Sequence, residues 1–313
     1  MPTTVYLDQN KWVDLSRARH GEDGGAQFVA ALNAAIEAVE AGTAMFPLSV
    51  AHYLETWKRY KGEPRRRVGS VISDLSRHCT IAGQQPLTEM EIDAALLKRF
   101  GTPDPPRTIE IFGYGAAHTF NQPALADYAS WPMFTGLGDT DAMEHELICG
   151  PVENLPIAGI ALPDLTAAQN YAKSENEQAA RFLAANANAD VIDLTIAALE
   201  VHGLMPLIKP ALKQAGVSLA EFYELEADGM TAFMLSMPWR GAAMQLRQRR
   251  FHELHQKWTP NDLNDIAYLP LGLAYCDVLV TENQWVHRMR QTKLDRQYGT
   301  VVIADLRELP DHL

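Results

Sequence analysis

The sequence predicts an α/β fold in which a parallel β-sheet with flanking helices is interrupted by a large, mostly helical insertion. The chain opens with a short apolar strand, Thr4–Leu7, and the range 261–304 runs helix, apolar strand, helix, strand. Helices that alternate with short apolar strands are typical of a parallel sheet with crossover connections. We therefore expect residues 1–100 and 258–313 to form the α/β core, and residues 101–257 to form the insertion.

The N-terminal part of the core alternates short strands with helices. Hydrophobic spacing and capping residues predict the following elements in order: strand Thr4–Leu7, helix Gln9–Ala18, a helix over 27–41, strand Ala44–Leu48, a helix that carries Glu55 and is capped by Ser49, and a helix over 64–77. Thr88 and Glu91 are spaced as a capping box for one further helix.

The middle of the chain has a different character from its two ends. Residues 101–165 are rich in Gly and Pro, which indicates loops and short helices. Helical patterns follow over 166–187, 190–203, 218–236 and 240–257. The C-terminal core is predicted as helix Asn261–Tyr275, strand Val278–Thr281, helix Gln284–Leu294 and strand Thr300–Ala304.

Composition and length are those of a globular protein with a substantial core. The chain has 313 residues, 47% of them hydrophobic, and three widely spaced cysteines, which suggests reduced thiols. No uninterrupted apolar run reaches the roughly 18 residues of a transmembrane helix, and no secretory signal is visible. We expect a cytoplasmic protein with no membrane contact.

The formal net charge of −12 restricts how this chain can meet nucleic acid. Proteins that bind nucleic acid without specificity are usually basic, so any such contact must be local here. Two local basic runs exist, Arg65–Arg67 and a group of Arg and Lys within 240–257. Both adjoin acidic segments in sequence, although solvent-exposed helix faces would explain them equally well.

Acidic and polar side chains recur at the predicted ends of strands and starts of helices. They are Asp8 and Asn10 after the first strand, Glu55 six residues after Ser49, Asp262 and Asp265 at the start of a helix, and Thr281, Glu282 and Asn283 after a late strand. Strand ends in a parallel sheet converge on one crevice, and several carboxylates around a crevice suit Mg²⁺ or Mn²⁺. Taken singly, each acid also fits a turn, a helix cap or an exposed helix face.

The order and spacing of these residues resemble the PIN-domain family of metal-dependent nucleases. The matching pieces are Asp8-Gln9-Asn10, Ser49 with Glu55, Asp265, and Thr281-Glu282-Asn283. Together they cover about a third of the chain, residues 1–60 and 258–313. Two features depart from the family pattern. Asn283 stands where the family often has Asp, with Glu282 beside it, and the insertion is far longer than in small PIN-domain toxins.

The resemblance implies a PIN-like fold and a phosphodiester hydrolase, most simply an endoribonuclease that depends on Mg²⁺ or Mn²⁺. It implies that Asp8, Glu55 and Asp265 are catalytic metal ligands, and that Asp262 and Glu282 serve a second ion or its hydration shell. Asn10, Thr281 and Asn283 would contact the phosphate of the substrate or support the ligands. RNA is a more natural substrate than DNA, and a toxin or defence effector fits this design. The resemblance also allows a protein inhibitor or antitoxin as partner, and a homo-oligomer.

Two alternatives stay open at this point. The chain could be a catalytically degenerate PIN-like binding module that works through its helical insertion, as Asn283 suggests. It could also be a phosphatase or phosphodiesterase of small nucleotides. We expect the six tryptophans to be mostly core or rim residues, although Trp12, Trp57 and Trp285 are near the acidic positions and are candidates for stacking on bases.

Overall fold

The computed structural model describes residues 1–59, 61–127, 136–149, 174, 176–179, 181–182, 188–253 and 256–313. Most of the helix predicted over 166–187 lies outside the described residues. The chain divides into two compact units. The first contains Met1–Gln84, Glu110–Pro163 and Leu271–Leu313, and the second contains Gln85–Ile109 and Asp164–Pro270.

The first unit is built on a four-stranded parallel sheet, which confirms the α/β class. Its strands are β1 (Thr3–Leu7), β2 (Ala44–Met45), β5 (Val278–Val280) and β6 (Val301–Ile303), in the spatial order β2-β1-β5-β6. Val5 and Leu7 are fully buried and Tyr6 nearly so, as expected for a central strand covered on both faces. The chain moves from β1 outward to β2, and from β5 outward to β6 in the opposite direction.

A second, smaller sheet was not foreseen in the sequence. It pairs β3 (Cys79–Ile81) with β4 (Phe112–Tyr114) in antiparallel register. β2 is shorter than the predicted strand Ala44–Leu48, because the segment contains Pro47, which has no N–H for a ladder. Leu48 instead makes an isolated parallel bridge to Thr80, through Leu48 N to Cys79 O at 2.9 Å and Ile81 N to Leu48 O at 2.7 Å.

Helices flank the sheet and form most of the second unit. In chain order the described helices are α1 (Gln9–His20), α2 (Val29–Glu40), α3 (Val50–Trp57), α4 (Gly62–Ser76), α5 (Gln84–Phe100), α6 (Gly115–Phe120), α7 (Thr140–Cys149), α8 (Ala189–Ala215), α9 (Leu219–Tyr223), α10 (Glu226–Leu235), α11 (Pro238–His252), α12 (Pro260–Tyr275), α13 (Asn283–Gln291) and α14 (Leu294–Tyr298). Short 3₁₀ helices cover Ala26–Phe28, Pro123–Ala126 and Leu306–His312.

α1 and α3 carry the residues that matter for the site, and local signals define both helices. α1 follows β1 directly and ends at Gly21, whose φ of 63° is the left-handed conformation that glycine adopts freely. α3 begins after Ser49, and a capping box joins Ser49 to His52. The apolar faces of both helices enter the core of the first unit, where Trp12 and Tyr53 are fully buried.

The predicted capping box of Thr88 and Glu91 is wrong. The helix starts earlier, at Gln84, so Glu91 lies well inside α5 and is almost fully buried. Its carboxylate accepts hydrogen bonds from Trp239 N at 2.6 Å and Arg240 N at 3.1 Å, at the first turn of α11. Glu91 therefore caps a helix 148 residues away. This contact explains why residues 85–109 pack with the helical unit, whereas the sequence assigned residues up to 100 to the α/β core.

α8 is long and apolar enough to cross a membrane by length and composition alone, with 39% of its most apolar window buried. Core helices of soluble proteins pass the same test. The helix contains Pro206 and Pro210, and its residues Ile196, Ile208 and Leu212 are buried in the second unit. The absence of membrane contact stays a prediction.

The three cysteines are free thiols in low-polarity surroundings. Burial raises the pKa of Cys79 to about 11 and that of Cys149 to about 12, and it raises the pKa of Cys276 further. Desolvation disfavours the thiolate, so all three are protonated at neutral pH.

Candidate functional site

The carboxyl ends of β1 and β5 lie side by side and carry the first group of predicted site residues. Asp8 directly follows β1, and Thr281 directly follows β5. The strands are tied here by Asp8 N to Val280 O at 2.9 Å, and the Thr281 hydroxyl donates to Asp8 Oδ2 at 2.8 Å. This is also where the chain leaves the sheet in opposite directions, the position at which open parallel sheets bind ligands.

Asp8 is an unusual carboxylate. Its pKa is raised from 3.8 to about 6, chiefly by burial, and in addition by the charges of Glu55 and Glu282. The hydrogen bond from Thr281 opposes the increase but does not cancel it. The charges of Glu55 and Glu282, from two distant segments, therefore act on Asp8.

Glu282 is held by two amides. Asn10 Nδ2 donates to Glu282 Oε1 at 2.6 Å, and Gln284 Nε2 donates to Glu282 Oε2 at 2.8 Å. Asn10 is exposed, and so is Asn283, the first residue of α13. Asn10, Thr281, Glu282 and Asp8 thus form one continuous polar edge, with Asn283 next to it in sequence.

α3 is attached to the end of β1 through His52. Ser49 N donates to His52 Nδ1 at 2.8 Å, and His52 Nε2 donates to Leu7 O at 2.8 Å. The ring is almost fully buried, and burial lowers the pKa of His52 to about 4. His52 is therefore neutral at physiological pH, with its proton on Nε2, and Glu55 lies one turn further along the same helix.

A second buried contact joins α1 to α3. Gln9 Nε2 donates to Thr56 Oγ1 at 3.1 Å, between residues that are 6% and 0% exposed. Among the described residues, the buried atoms Gln9 Oε1 and Trp12 Nε1 have no hydrogen-bond partner. The sequence analysis did not identify Gln9, His52 or Thr56 as functional candidates. The spacing of Ser49 and His52 was the one local signal for this arrangement.

Asp262 and Asp265 lie in the first two turns of α12, within the second unit. Asp262 is buried and its Oδ2 is already engaged, by Arg250 Nη2 at 3.1 Å and by Thr259 N at 2.8 Å. These contacts make Asp262 a helix cap and one half of a buried ion pair. Asp265 is partly buried one turn later.

No group of three or more His, Cys, Asp or Glu side chains is arranged to hold a metal ion in the described parts of the chain. The charges of Glu55 and Glu282 act on Asp8, but these three carboxylates do not form such a group in the described residues.

The basic runs are largely occupied by contacts within the protein. Arg65 is buried and donates to Cys149 O and Arg59 O, both at 3.2 Å. Arg66 pairs with Glu146, and Arg67 pairs with Glu22 and Glu63. In the second run, Arg240 and Arg247 pair with Glu200, Arg249 with Glu253 and Arg250 with Asp262.

Trp12, Trp57 and Trp285 lie in the core, as expected for most tryptophans of this chain, and the alternative of base stacking is wrong. Trp12 and Trp285 are fully buried and Trp57 is 2% exposed, so none of the three offers a ring face to a ligand. Trp57 stacks on Phe120 inside the core. Apolar burial near the strand ends, rather than substrate contact, accounts for these residues.

No protein-family model, curated protein or solved structure matches this chain. A function must therefore be argued from the site itself.

Proposed function

We propose that this protein is a metal-dependent phosphodiester hydrolase, an endoribonuclease with a PIN-like α/β unit. In this proposal Asp8, Glu55 and Glu282 bind Mg²⁺ or Mn²⁺ at the carboxyl ends of β1 and β5. The observation that carries it is the position of Asp8 at the carboxyl ends of β1 and β5, where Thr281 binds its carboxyl and the charges of Glu55 and Glu282 act on it. Such a concentration of negative charge is costly for the fold, and a divalent cation would offset it.

The donor set suits a hard cation. Carboxylate and amide oxygens are what Mg²⁺ and Mn²⁺ prefer, and Glu55, Glu282 and Asn10 belong to separate segments that a single ion would tie together. The proposal requires Glu55 and Glu282 to turn toward Asp8 when the ion is present. Asp265 remains a further proposed ligand on the strength of the resemblance. Asp262 is left out, because its carboxylate serves Arg250 and Thr259.

A bound divalent ion would supply charge neutralisation at the phosphoryl group and a more acidic water. The other roles belong to the chain. The Thr281 hydroxyl fixes one oxygen of Asp8 and so orients the carboxylate. The Asn10 amide, which now binds Glu282, would become free to donate to a phosphate oxygen once Glu282 turns away.

RNA is the proposed substrate, and its choice over DNA rests on the resemblance. The net charge of −12 and the internally paired arginines support an enzyme that selects its substrate or is held in check by a partner, rather than a general nuclease. A toxin or defence effector in the cytoplasm, with an inhibitory protein partner, fits this description.

The first test is cleavage of labelled single-stranded RNA with Mn²⁺ or EDTA, by the wild type and by Asp8→Asn. Asp14→Asn is the matched control, because Asp14 lies on α1 and makes only a surface ion pair with Arg17. We expect cleavage with Mn²⁺ by the wild type and by Asp14→Asn, and none with EDTA or with Asp8→Asn.

Full activity of Asp8→Asn would contradict the proposal. Intact RNA in every lane, together with no effect of Mn²⁺ on the melting temperature, would favour the degenerate binding module, since an ion that binds only the folded state must stabilise it. Hydrolysis of nucleotide monoesters or cyclic nucleotides with intact RNA would favour the small-nucleotide hydrolase.

A further inference from the structure

We infer that Gln9, His52 and Thr56 are positioning residues for the proposed metal site. Their two buried hydrogen bonds fix the backbone segment that carries Asp8 against the segment that carries Glu55. The inference rests on the proposed function, because it assigns these residues to the same site. Neither the predicted metal ligands nor the resemblance to the PIN-domain family includes these three residues.

The first bond fixes the residue before Asp8. His52 Nε2 donates to the carbonyl of Leu7 at 2.8 Å, and the ring is 1% exposed. The opposite ring nitrogen accepts from Ser49 N at 2.8 Å, so the imidazole is held at both ends. Because His52 and Glu55 are three apart on α3, the bond attaches the segment with Glu55 to the end of β1.

The second bond fixes the residue after Asp8. Gln9 Nε2 donates to Thr56 Oγ1 at 3.1 Å, and Thr56 directly follows Glu55. The two bonds therefore connect residues 7 and 9 with residues 52 and 56. Asp8 lies between the members of the first pair, and Glu55 lies between the members of the second.

A two-point attachment restricts the two backbones more than either bond alone. One bond would allow α3 to pivot about it, whereas two bonds on either side of the carboxylates also fix the rotation of the helix. Both bonds are shielded from water, so no solvent molecule competes for them. Groups behind metal ligands that fix ligand orientation in this way commonly change metal affinity by 10-fold to 100-fold when removed.

The chemistry of the three side chains suits this role. Gln9 and Thr56 are uncharged, and burial keeps His52 neutral at physiological pH. They therefore join the two segments without adding a positive charge beside Asp8 and Glu55. A lysine or arginine in the same position would fix the geometry but would compete with the ion.

The test compares Mn²⁺ affinity, measured by electron paramagnetic resonance of free Mn²⁺, in Thr56→Val, Thr56→Ser and Thr80→Val. Thr80 is the matched control, since it is also fully buried in the first unit and its hydroxyl donates to Gly115 O at 3.2 Å, a contact outside the site. We expect about tenfold weaker binding for Thr56→Val, and wild-type binding for Thr56→Ser and Thr80→Val.

A second pair of variants tests the hydrogen bond from His52 to Leu7 O. His52→Gln retains a donor that can reach Leu7 O, whereas His52→Leu removes it. We expect His52→Leu to weaken Mn²⁺ binding about tenfold and His52→Gln to restore most of it. If Thr56→Val does not fold, Gln9→Met removes the same hydrogen bond from the α1 side and takes its place.

The possible results distinguish the positioning role from the proposed function. If the wild type binds Mn²⁺ and Thr56→Val binds it as well as Thr80→Val does, the positioning role is refuted and the proposed function stands. If both threonine-to-valine variants lose affinity equally, the effect is general destabilisation and the positioning role is again refuted. If the wild type binds no Mn²⁺, the proposed function fails and the positioning role fails with it.

Discussion

If the proposed function holds, Asp8 shows a conflict between stability and function at the scale of one residue. The folded chain holds this carboxyl in a partly buried position, where desolvation and the charges of Glu55 and Glu282 disfavour its ionised form. Active sites often keep such groups at a cost in stability, because the reaction needs them. The structure therefore allows the cost to be measured directly.

We predict that Asp8→Asn stabilises the protein at pH 7 without divalent ions. The pKa of Asp8 is about 6 in the folded chain and near 3.8 when unfolded, so the folded state holds the proton more tightly. The contribution of this carboxyl to the free energy of unfolding is fully present below pH 3.8. About 3 kcal/mol of it is lost as the pH rises through 6. Asn keeps the acceptor for Thr281 and carries no charge.

The measurement is urea unfolding of both proteins at pH 7 and pH 4. The difference in the free energy of unfolding should be largest at pH 7 and should shrink toward zero at pH 4. A constant difference across this range would show that charge is not its origin.

His52 changes stability in the opposite direction over nearly the same pH range. Its pKa is lowered to about 4 in the folded chain, from 6.5, so its contribution is complete above 6.5 and is lost as the pH falls through 4. We predict that His52→Gln gains stability relative to the wild type between pH 6 and pH 4. Melting temperatures across that range measure the gain, and parallel curves for the two proteins would contradict it.

At the scale of elements, a carboxylate from a distant segment caps the start of α11. Two backbone N–H groups in the first turn of α11 donate to the carboxylate of Glu91. We predict that Glu91→Ala costs about 1–3 kcal/mol, because two buried N–H groups at a helix N-terminus lose their acceptor. Glu89→Ala, two residues earlier in sequence and paired with Arg107, should cost less than about 1 kcal/mol. Chemical denaturation compares the two, and equal losses would argue against the cap.

α12 offers a test of the two roles considered for Asp262. Its carboxylate pairs with Arg250 at 3.1 Å, with both side chains nearly inaccessible to solvent. We predict that Asp262→Ala lowers the free energy of unfolding by about 3–5 kcal/mol, because Arg250 would be left buried without its counter-ion. The stabilisation that Mn²⁺ gives to the wild type should be unchanged in the variant. A loss of this stabilisation would return Asp262 to the metal site.

Elements with strong local signals could be predicted from the sequence. β1 was expected at Thr4–Leu7 and spans Thr3–Leu7, and α12 was expected from Asn261 and begins at Pro260. β5 and β6 have three residues each and were predicted because all of them are Val, Leu or Ile. β3 and β4 are equally short but contain Thr80 and Gly113, and each pairs with a partner far away in sequence, so they were missed. The role of Glu91 was missed for the same reason, since its spacing to Thr88 suggested a local cap.

Some residues of the candidate site could be predicted from the sequence and others could not. Asp8 and Thr281 were predictable because each directly follows an apolar strand, and parallel strands end at a common edge. His52 contacts Leu7 across 45 residues, and Gln9 contacts Thr56 across 47, so no local pattern reveals either pair. Side-chain rotamers are also invisible in a sequence, and they decide whether carboxylates converge on one point.

At the scale of the whole molecule, net charge determines how the protein meets its substrate. A nuclease that makes six to ten phosphate contacts loses on the order of 10³-fold or more in affinity between 50 and 200 mM salt. Here the chain carries a charge of −12, and most arginines of both basic runs pair with carboxylates.

We predict that the affinity for a cleavable RNA falls less than about tenfold over the same salt range. Fluorescence anisotropy with a labelled oligonucleotide, in Ca²⁺ to prevent turnover, measures this. A steep loss would reveal a basic surface that the internal pairing does not suggest.

The protonated state of Cys79, Cys149 and Cys276 makes this chain convenient for spectroscopy. Because the thiolate is the form that attacks thiol-reactive labels, a cysteine introduced at an exposed position should react first, and the native three need not be removed. Glu37 on α2 and Lys213 on α8 are exposed positions, one in each unit. A pair of spin labels or dyes at these two positions would report the distance between the units in solution, with and without Mn²⁺ and RNA.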